Sequence, residues 1–417
     1  MKILVITNYY PPHYIGGYEI GCKEAVEGLK KRGHQVNVLT SNYRIKYYTK
    51  EDDEQNICRM LKFQITEKTR GLGIFFDLYL IEIFNHIVLK FTLNKFKPDI
   101  VYIWNFSGLS ASLLFKVQKL GIPLFYFIFD FWLSNWKQDR WYSILDFPMT
   151  GFKGKLRELI AYPLLKNTGF YLNSSCLNLG KNIQFASHFL KSKSLEVGQS
   201  VEESTVISWG LNLSNYPYKD CIDGSSKLLY VGQVMRHKGV HTVVEALKIL
   251  VNKKNYPFIS LTIAGGFGDS EYESFLKGLV SSLGLDENVH FLGFVDRKEL
   301  ISIYHTHDIL VFPSIWDEPF GITLLEGMAS GIPLVSTDNG GSKEILRDGF
   351  NSLVFPKGNH YKCAEKIYQL INDANLSEKI RRNAREWVKE KFALSATLDN
   401  IESHLTNFLV DSPCKSS

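Results

Sequence analysis

Cysteine is scarce and scattered in this 417-residue chain, which has six cysteines and no C-x-x-C pair. A disulfide framework or a zinc knuckle needs paired or closely spaced cysteines, so both kinds of small stabilised domain are disfavoured. We therefore expect the protein to work in a reduced compartment.

Long apolar runs are also missing. The apolar run within residues 1–8 is too short for a signal peptide, and the apolar segment 71–91 is interrupted by Asp77, Glu82 and Lys90. A membrane-spanning helix needs about 20 predominantly apolar residues in succession. We therefore expect no membrane span and predict a cytoplasmic protein, or one that is peripheral at the inner face of the membrane.

Two nucleotide-related signatures are absent as well. The chain contains no G-x-G-x-x-G sequence, which disfavours a nicotinamide-dependent dehydrogenase. It contains no D-x-D triplet, so a bound divalent cation is not needed to explain nucleotide binding, and we expect no metal cofactor. His305 and His307 lie close in sequence but lack a third and fourth ligand at the usual spacing, which makes a zinc site an unattractive reading.

The charge is uneven along a chain whose length predicts two domains. Residues 1–210 contain 26 Lys and Arg against 18 Asp and Glu, a net charge of +8, which leaves −3 for the rest of the total of +5. A basic first half favours an acidic acceptor or an anionic membrane surface. A chance asymmetry of an ordinary solvated surface explains the excess equally well.

Short apolar runs alternate with segments of helical period, twice over. The first series of predicted strands is 3–7, 36–40, 100–104, 124–129, 183–187 and 206–209. The second series is 228–232, 261–264, 289–292, 309–313, 334–337 and 353–355. Such alternation is typical of parallel sheets covered on both faces, so we predict an α/β fold with two doubly wound domains. They would span residues 1–210 and 227–385, joined by the turn-rich linker 211–226.

The strongest chemical signal is the segment 316–326, which follows a predicted strand. Pro319 and Gly321 form a turn, and an apolar helical period begins near Gly321. A helix start offers free N–H groups and a positive dipole end to a diphosphate, and Glu318 and Glu326 could hold sugar hydroxyls at two ends of a ligand. Taken alone, Glu318 is better explained as a partner of the helix dipole, and Glu326 as a surface residue.

Three further strand-to-helix turns are candidates for the same ligand. Gly16 and Gly17 follow the first strand and would let main-chain N–H groups face a phosphate, although an ordinary flexible loop is as good an explanation. The turn 231–239 carries candidate diphosphate ligands, whereas its alternative is a basic loop that caps a helix. These candidates are Gln233, Arg236 and Lys238. The glycine turn Gly265–Gly266 adds main chain to the lining.

Together these residues resemble family 4 of the GT-B glycosyltransferases, the large group 1 family. The defining part is Glu318-Pro319-Phe320-Gly321 with Glu326, the E-x7-E motif of that family. The segments 329–335 and 340–345 and the Asp348-Gly-Phe-Asn351 turn follow at the family's offsets. The resemblance implies two Rossmann-like domains facing across a cleft, and a last helix, within 386–417, that returns to the first domain.

The resemblance also implies a role for each matching residue. Glu318 would bind the donor sugar, the main chain at Pro319, Phe320, Gly321 and Ile322 the sugar and phosphate, and Glu326 the ribose hydroxyls. Lys238 would bind the diphosphate, as would the main chain at Gly17. The reaction would retain the anomeric configuration by front-face displacement, assisted by the leaving phosphate rather than by a protein nucleophile.

Two positions depart from the family pattern. Gln233 stands where the family usually has an arginine, so the diphosphate loses one charged contact unless Arg236 supplies it. Phe129 stands at a usual histidine position before Asp130. Asp130 could still approach the donor sugar or the acceptor hydroxyl, and a strand-end turn residue is an equal alternative.

The acceptor should be chosen by the first domain. The segment 136–166 mixes six cations with aromatic residues, which suits an anionic glycolipid or a membrane interface better than nucleic acid, although an ordinary insertion is a slightly better explanation. We expect an enzyme that transfers a hexose from a nucleotide-diphosphate-sugar to a glycan or lipid-linked acceptor of cell-surface polysaccharide or glycolipid synthesis. The alternative is a non-catalytic, nucleotide-sugar-binding partner subunit with the same fold, which the presence of Glu318, Glu326 and Lys238 disfavours.

Overall fold

Near-continuous apolar strands pair in parallel in two separate sheets, as seen in a computed structural model of the chain. The structure describes residues 1–44, 55–64, 72–135, 140, 182–220, 227–253 and 255–411. Unit 1 comprises residues 1–207 and 400–417, and unit 2 comprises residues 208–399. Each unit has its own sheet and its own helices.

Unit 1 contains a seven-stranded sheet in the order β3-β2-β1-β4-β5-β6-β7. Its strands are β1 (Lys2–Ile6), β2 (Gln35–Ser41), β3 (Ile57–Leu61), β4 (Ile100–Ile103), β5 (Leu124–Ile128), β6 (Ile183–Phe185) and β7 (Thr205–Val206). Its helices are α1 (Gly17–Lys31), α2 (Leu72–Phe96), α3 (Ser112–Lys119) and α4 (His188–Glu196). Ile3 lies opposite Val36 on one side and Ile100 on the other, and all three are buried, as expected for strands covered on both faces.

Unit 2 contains a six-stranded sheet in the order β10-β9-β8-β11-β12-β13. Its strands are β8 (Lys227–Val231), β9 (Ser260–Ala264), β10 (Val289–Gly293), β11 (Ile309–Phe312), β12 (Leu334–Ser336) and β13 (Leu353–Val354). Its helices are α5 (Val240–Lys253), α6 (Ser270–Ser282), α7 (Arg297–Thr306), α8 (Ile322–Ser330), α9 (His360–Asn372) and α10 (Ala374–Lys391). Their apolar faces and the strands form one core, which includes Leu247, Leu261 and Ile367.

The predicted fold class is confirmed, since both units are doubly wound parallel sheets with helical crossovers. One strand was missed. β3 contains Arg59 within Ile57–Leu61 and lies at the edge of its sheet, where it is not buried on both sides. It therefore lacks the continuous apolar run by which the other strands were recognised.

The last helix, α11 (Leu394–Asp411), begins in unit 2, and its residues from Asn400 onward belong to unit 1. Glu402 of this helix pairs with Arg32 at 3.1 Å and with His34 at 2.8 Å. The units divide between Ile207 and Ser208, so residues 211–220 of the expected linker belong to unit 2.

The strand orders place the switch points of the two sheets. In unit 1, β2 and β3 lie on one side of β1 and the later strands lie on the other, so the switch point is between β1 and β4. In unit 2, β9 and β10 lie on one side of β8 and the later strands lie on the other, so the switch point is between β8 and β11. Ligands of open parallel sheets bind outside the carboxyl ends of the strands at such points. The loops after these four strands are therefore where a site is expected, and they contain most of the residues singled out from the sequence.

Candidate active site

The loop after β11 leads into α8 through a glycine that no other residue could easily replace. Gly321 caps the helix with a φ of 125°, a conformation that L side chains rarely adopt, and a Cβ there would lie 2.9 Å from Leu324. The Phe320 side chain is buried and packs on Phe392, so the side chain is not available to a ligand. The Ile322 and Thr323 N–H groups lie in the first turn of α8, where N–H groups lack an acceptor in the preceding turn and attract anions, whereas the Leu324 N–H donates to the Gly321 carbonyl at 3.1 Å.

Lys238 and Glu318 meet at the unit 2 switch point. The Lys238 Nζ lies 2.8 Å from Oε1 and 2.9 Å from Oε2 of Glu318. Lys238 ends a 3-10 turn after β8, and Gly239 follows with a φ of 70°. A Cβ at Gly239 would lie 2.1 Å from the Pro313 carbonyl oxygen, so glycine allows the lysine turn to approach the loop after β11. Two residues that are 80 positions apart thus form one ion pair.

Glu318 is held in place from several sides. Ser314 Oγ donates to Glu318 Oε1 at 2.6 Å, and the Gly341 N–H donates to the Glu318 carbonyl at 2.6 Å. Gly340, with a φ of 62°, comes so near that a Cβ would lie 2.5 Å from the Glu318 carbonyl oxygen. The glutamate is only 5% exposed, and the lysine and the serine fix its carboxylate before any ligand arrives.

Glu326 lies in α8 and is buried as well. Tyr216 donates to Oε1 at 2.9 Å, Tyr304 donates to Oε2 at 3.1 Å, and Arg297 Nη2 lies 3.2 Å from Oε1. Burial, with the Glu326 charge, raises the pKa of Tyr304 well above its ordinary value, so the phenol remains a donor. The alternative of a surface glutamate is therefore wrong: Glu326 is the centre of a polar network.

The glycine turn after β9 lies against the turn after β8. The Val234 N–H donates to the Gly266 carbonyl at 2.9 Å, and a Cβ at Gly265 would lie 1.7 Å from the Gly232 oxygen. The Gln233 carbonyl accepts from Tyr230 at 2.7 Å. The close approach of the Gly232 main chain therefore requires a glycine at position 265. A Cβ at Gly266 would come no nearer than 4.0 Å to Phe294, so position 266 has room for a side chain.

Arg236 has a different environment from Lys238. Its guanidinium carbon lies 4.8 Å from the ring centroid of Phe275 and 5.4 Å from that of Tyr272, both on α6. This cation–π stacking holds the guanidinium beside the α6 aromatic rings. The structure therefore places Lys238, rather than Arg236, against Glu318.

A second polar cluster lies at the unit 1 switch point, after β1, β4 and β5. The Gly16 N–H, just before α1, donates to Glu19 Oε2 at 2.9 Å, and α1 begins at Gly17. The Asn105 amide donates to Asp130 Oδ2 at 3.1 Å and to Glu19 Oε1 at 3.4 Å. One amide therefore bridges two carboxylates.

The two acids of this cluster hold their protons unusually well. Burial, and then the Glu19 charge, raises the pKa of Asp130 to about 7, against the stabilising N–H of Trp132 at 2.8 Å. Burial likewise raises the pKa of Glu19. A carboxyl group that titrates near neutrality in a polar recess can take up or release a proton at working pH. This favours a functional role for Asp130 over an ordinary strand-end turn residue.

Other candidates from the sequence do not gather at these points. His305 bonds to the Pro217 carbonyl at 2.6 Å, whereas His307 contacts Thr262 at 2.8 Å, so the two rings serve different neighbours. Within the described ranges, no group of three or more His, Cys, Asp or Glu could hold a metal ion. The basic, aromatic segment 136–166 lies outside the described residues apart from Arg140.

Several residues of both clusters were not predicted. Asn105 and Ser314 each stand two positions after a strand, so the rule that ligands bind beyond strand ends could have identified them. Tyr216, Tyr304 and Arg297 carry no local signal, because they reach Glu326 only through the fold.

Comparison with known proteins agrees with this architecture. The family model described as glycosyl transferases group 1 matches residues 221–387, and the model of glycosyltransferase family 4 matches residues 15–158. An uncharacterized glycosyltransferase of Methanocaldococcus jannaschii is 25% identical over 415 residues, covering 98% of this chain and 97% of that protein. The capsular polysaccharide biosynthesis glycosyltransferase CapM of Staphylococcus aureus is 29% identical over 202 residues, covering 48% of this chain and 50% of that protein.

A solved structure with the same fold is Anabaena HepE in complex with UDP and glucose. Its TM-score is 0.72 at 18% identity, over 98% of this chain and all of that one. At this identity the likeness shows the GT-B fold. Among the helices in the described part of the chain, none combines the length and the apolar character that crossing a bilayer requires.

Proposed function

The chain belongs to family 4, or group 1, of the GT-B glycosyltransferases, and we propose that it transfers a hexose with retention from a nucleotide-diphosphate-sugar. The acceptor we propose is a glycan or lipid-linked saccharide of cell-surface polysaccharide or glycolipid synthesis. The full-length archaeal relative is called a glycosyltransferase, and CapM belongs to capsular polysaccharide biosynthesis. We propose a cytoplasmic enzyme that is peripheral at the inner face of the membrane and requires no metal.

The observation that carries the proposal is the pair of Lys238 and Glu318 beside the start of α8. A lysine ammonium and a helix N-terminus both attract a diphosphate, whereas a fixed carboxylate accepts hydrogen bonds from sugar hydroxyls. The Lys238 ammonium and the Glu318 carboxylate lie 2.8 Å apart, so one nucleotide-sugar molecule can reach both of them. Glu326 would hold the ribose through the network described above.

The proposed chemistry needs no covalent intermediate with the protein. The bond from the anomeric carbon to the diphosphate oxygen breaks, and the acceptor oxygen bonds to the same face of that carbon. The acceptor proton passes to the leaving phosphate oxygen. Lys238 and the main chain at Gly321 and Ile322 would lower the barrier by stabilising the negative charge that develops on the diphosphate.

Unit 1 would supply the acceptor side. Asp130, with its pKa near 7, is the side chain we place near the acceptor hydroxyl or the donor sugar, and Asn105 and Glu19 position it. The main chain at Gly16 and Gly17 would approach the diphosphate. The Gly16 N–H is now engaged by Glu19, so binding there requires this contact to be exchanged.

A thermal-shift panel tests the proposed donor class. Uridine, guanosine and adenosine diphosphates and their common sugars are compared on the full chain, because a ligand that binds only the folded state raises the unfolding temperature by mass action. We expect one diphosphate and at least one of its sugars to stabilise the protein. Stabilisation by none of them would contradict the proposal, and stabilisation by a sugar that is never turned over would favour a binding subunit.

A further inference from the structure

Helix α2 (Leu72–Phe96) of unit 1 exposes large apolar side chains along one side. Leu80 is 63% exposed, Ile87 61% and Phe91 63%. Their spacings of seven and four residues place them on one stripe of the helix surface. Phe84 and Ile83 lie on or beside the same stripe and are partly exposed.

The opposite side of α2 already completes the core of unit 1. The buried residues of this side are Leu78, Glu82, Asn85, Val88, Leu89, Thr92 and Leu93. The exposed stripe is not part of this buried side. On an ordinary surface helix the residues at its positions would be polar. A contiguous exposed apolar stripe in a folded unit marks an interaction surface.

Lysines lie beside the part of this stripe that contains Phe84 and Phe91. The Lys62 ammonium lies 4.4 Å from the Phe84 ring centroid, and the Lys95 ammonium lies 5.9 Å from that of Phe91. Lys90 is exposed on the helix. Long lysine side chains can lie along apolar surface while their charged ends reach a polar layer.

We propose that the exposed stripe of α2, defined by Leu80, Ile87 and Phe91, docks unit 1 on an anionic lipid surface. The apolar side chains enter the boundary between headgroups and acyl chains, and the lysine ammoniums lie at the level of the lipid phosphates. This inference rests on the peripheral membrane location proposed above. It identifies the exposed stripe of α2 as the surface that contacts the lipid. A second copy of the chain is a poorer occupant, because two such stripes face to face would bring their lysines together.

Vesicle flotation of the full-length protein tests this surface. Vesicles of phosphatidylcholine mixed with phosphatidylglycerol are compared with vesicles of phosphatidylcholine alone, at low and at raised salt. We expect binding to the anionic vesicles that weakens with salt. The double variant Ile87→Ser, Phe91→Ser should reduce the partition coefficient by roughly tenfold or more, because it removes two inserting side chains.

Matched controls remove apolar side chains from other surfaces. Leu120→Ser acts at a leucine of unit 1 that is 52% exposed, and Phe258→Ser at a phenylalanine of unit 2 that is 96% exposed. Both should bind vesicles as the parent protein does. A further variant, Lys90→Glu with Lys95→Glu, should lower binding to the anionic vesicles and flatten its salt dependence.

Three outcomes would overturn the assignment. They are no binding of the parent protein to anionic vesicles, equal binding by the α2 variant, and a parent dimer in sedimentation velocity that the α2 variant converts to monomer. The last outcome would make the stripe an interface between copies. Melting temperature and the donor-induced shift are measured on every variant, so failure of the proposed transfer reaction is recognised separately from failure of the lipid surface.

Discussion

Replacing Asp130 by asparagine should stabilise the protein at alkaline pH, because the native carboxyl is ionised there at a cost. Asp130 lies half-buried beside Glu19, and its pKa is raised to about 7 from an ordinary 3.8. The folded state therefore binds this proton more tightly than the unfolded chain does. The stability that the proton contributes is complete below about pH 4 and is lost as the pH rises through 7.

The magnitude follows from the two pKa values. A difference of about three units corresponds to roughly 4 kcal/mol at pH 8, which is an upper bound on what the charge costs. Asparagine keeps an oxygen for the Trp132 N–H but presents an amide to the Asn105 amide, which forfeits a hydrogen bond of about 1 kcal/mol. With partial access of water, we expect a net gain of about 1–3 kcal/mol at pH 8.

Urea unfolding followed by circular dichroism, between pH 4 and pH 8, measures this effect. The free energy of unfolding of Asp130→Asn relative to the parent should rise with pH across this window and be at or below zero at pH 4. Glu203→Gln, at an exposed carboxyl of unit 1, should give a flat difference. A flat or falling difference for Asp130→Asn would show that the pKa of its carboxyl is not raised and would remove the argument for a functional role of Asp130.

Two further predictions concern unit 2. Gly265→Ala should destabilise unit 2 by about 1–3 kcal/mol in urea unfolding, since its Cβ would lie 1.7 Å from a main-chain oxygen, whereas Gly266→Ala should be within about 0.5 kcal/mol of the parent. Equal effects of the two alanines would refute the close approach. Lys238→Met leaves Glu318 buried with a serine as its remaining side-chain donor, so we expect a loss of about 1–3 kcal/mol and at least tenfold weaker binding of the stabilising nucleoside diphosphate by calorimetry. Unchanged diphosphate affinity in a folded Lys238→Met protein would contradict the role of the lysine.

The fold could be predicted from the sequence because its strands are buried on both faces. A strand such as β5, Leu124–Ile128, has no polar side and is recognised by its apolar run alone. β3 was missed because an edge strand with Arg59 lacks that run. The family resemblance assigned Lys238 and Glu318 to one nucleotide-sugar. The structure gives the reason that they meet, since β8 and β11 are neighbours at a switch point and each residue follows one of them.

The side chains that contact the predicted site residues could not be predicted from the sequence. Tyr216 and Tyr304 reach Glu326 from segments that are 110 and 22 positions away, and no spacing rule links them to a glutamate in a helix. The stacking of Arg236 on Phe275 likewise depends on how α6 packs. Sequence patterns locate loops at the end of a sheet, whereas the partners that set charge and protonation are fixed only by tertiary packing.

The measurement that tests the central claim most directly is donor turnover by Glu318→Gln, alongside the parent and Lys238→Met. The donor is the nucleotide-sugar that gives the largest thermal shift, and released nucleoside diphosphate is followed with and without candidate saccharide acceptors. If Glu318 holds the donor sugar, turnover should fall by at least about 100-fold in a protein whose melting temperature and binding of the plain diphosphate are little changed. Turnover at the parent rate in folded Glu318→Gln would show that the sugar is not held at this carboxylate.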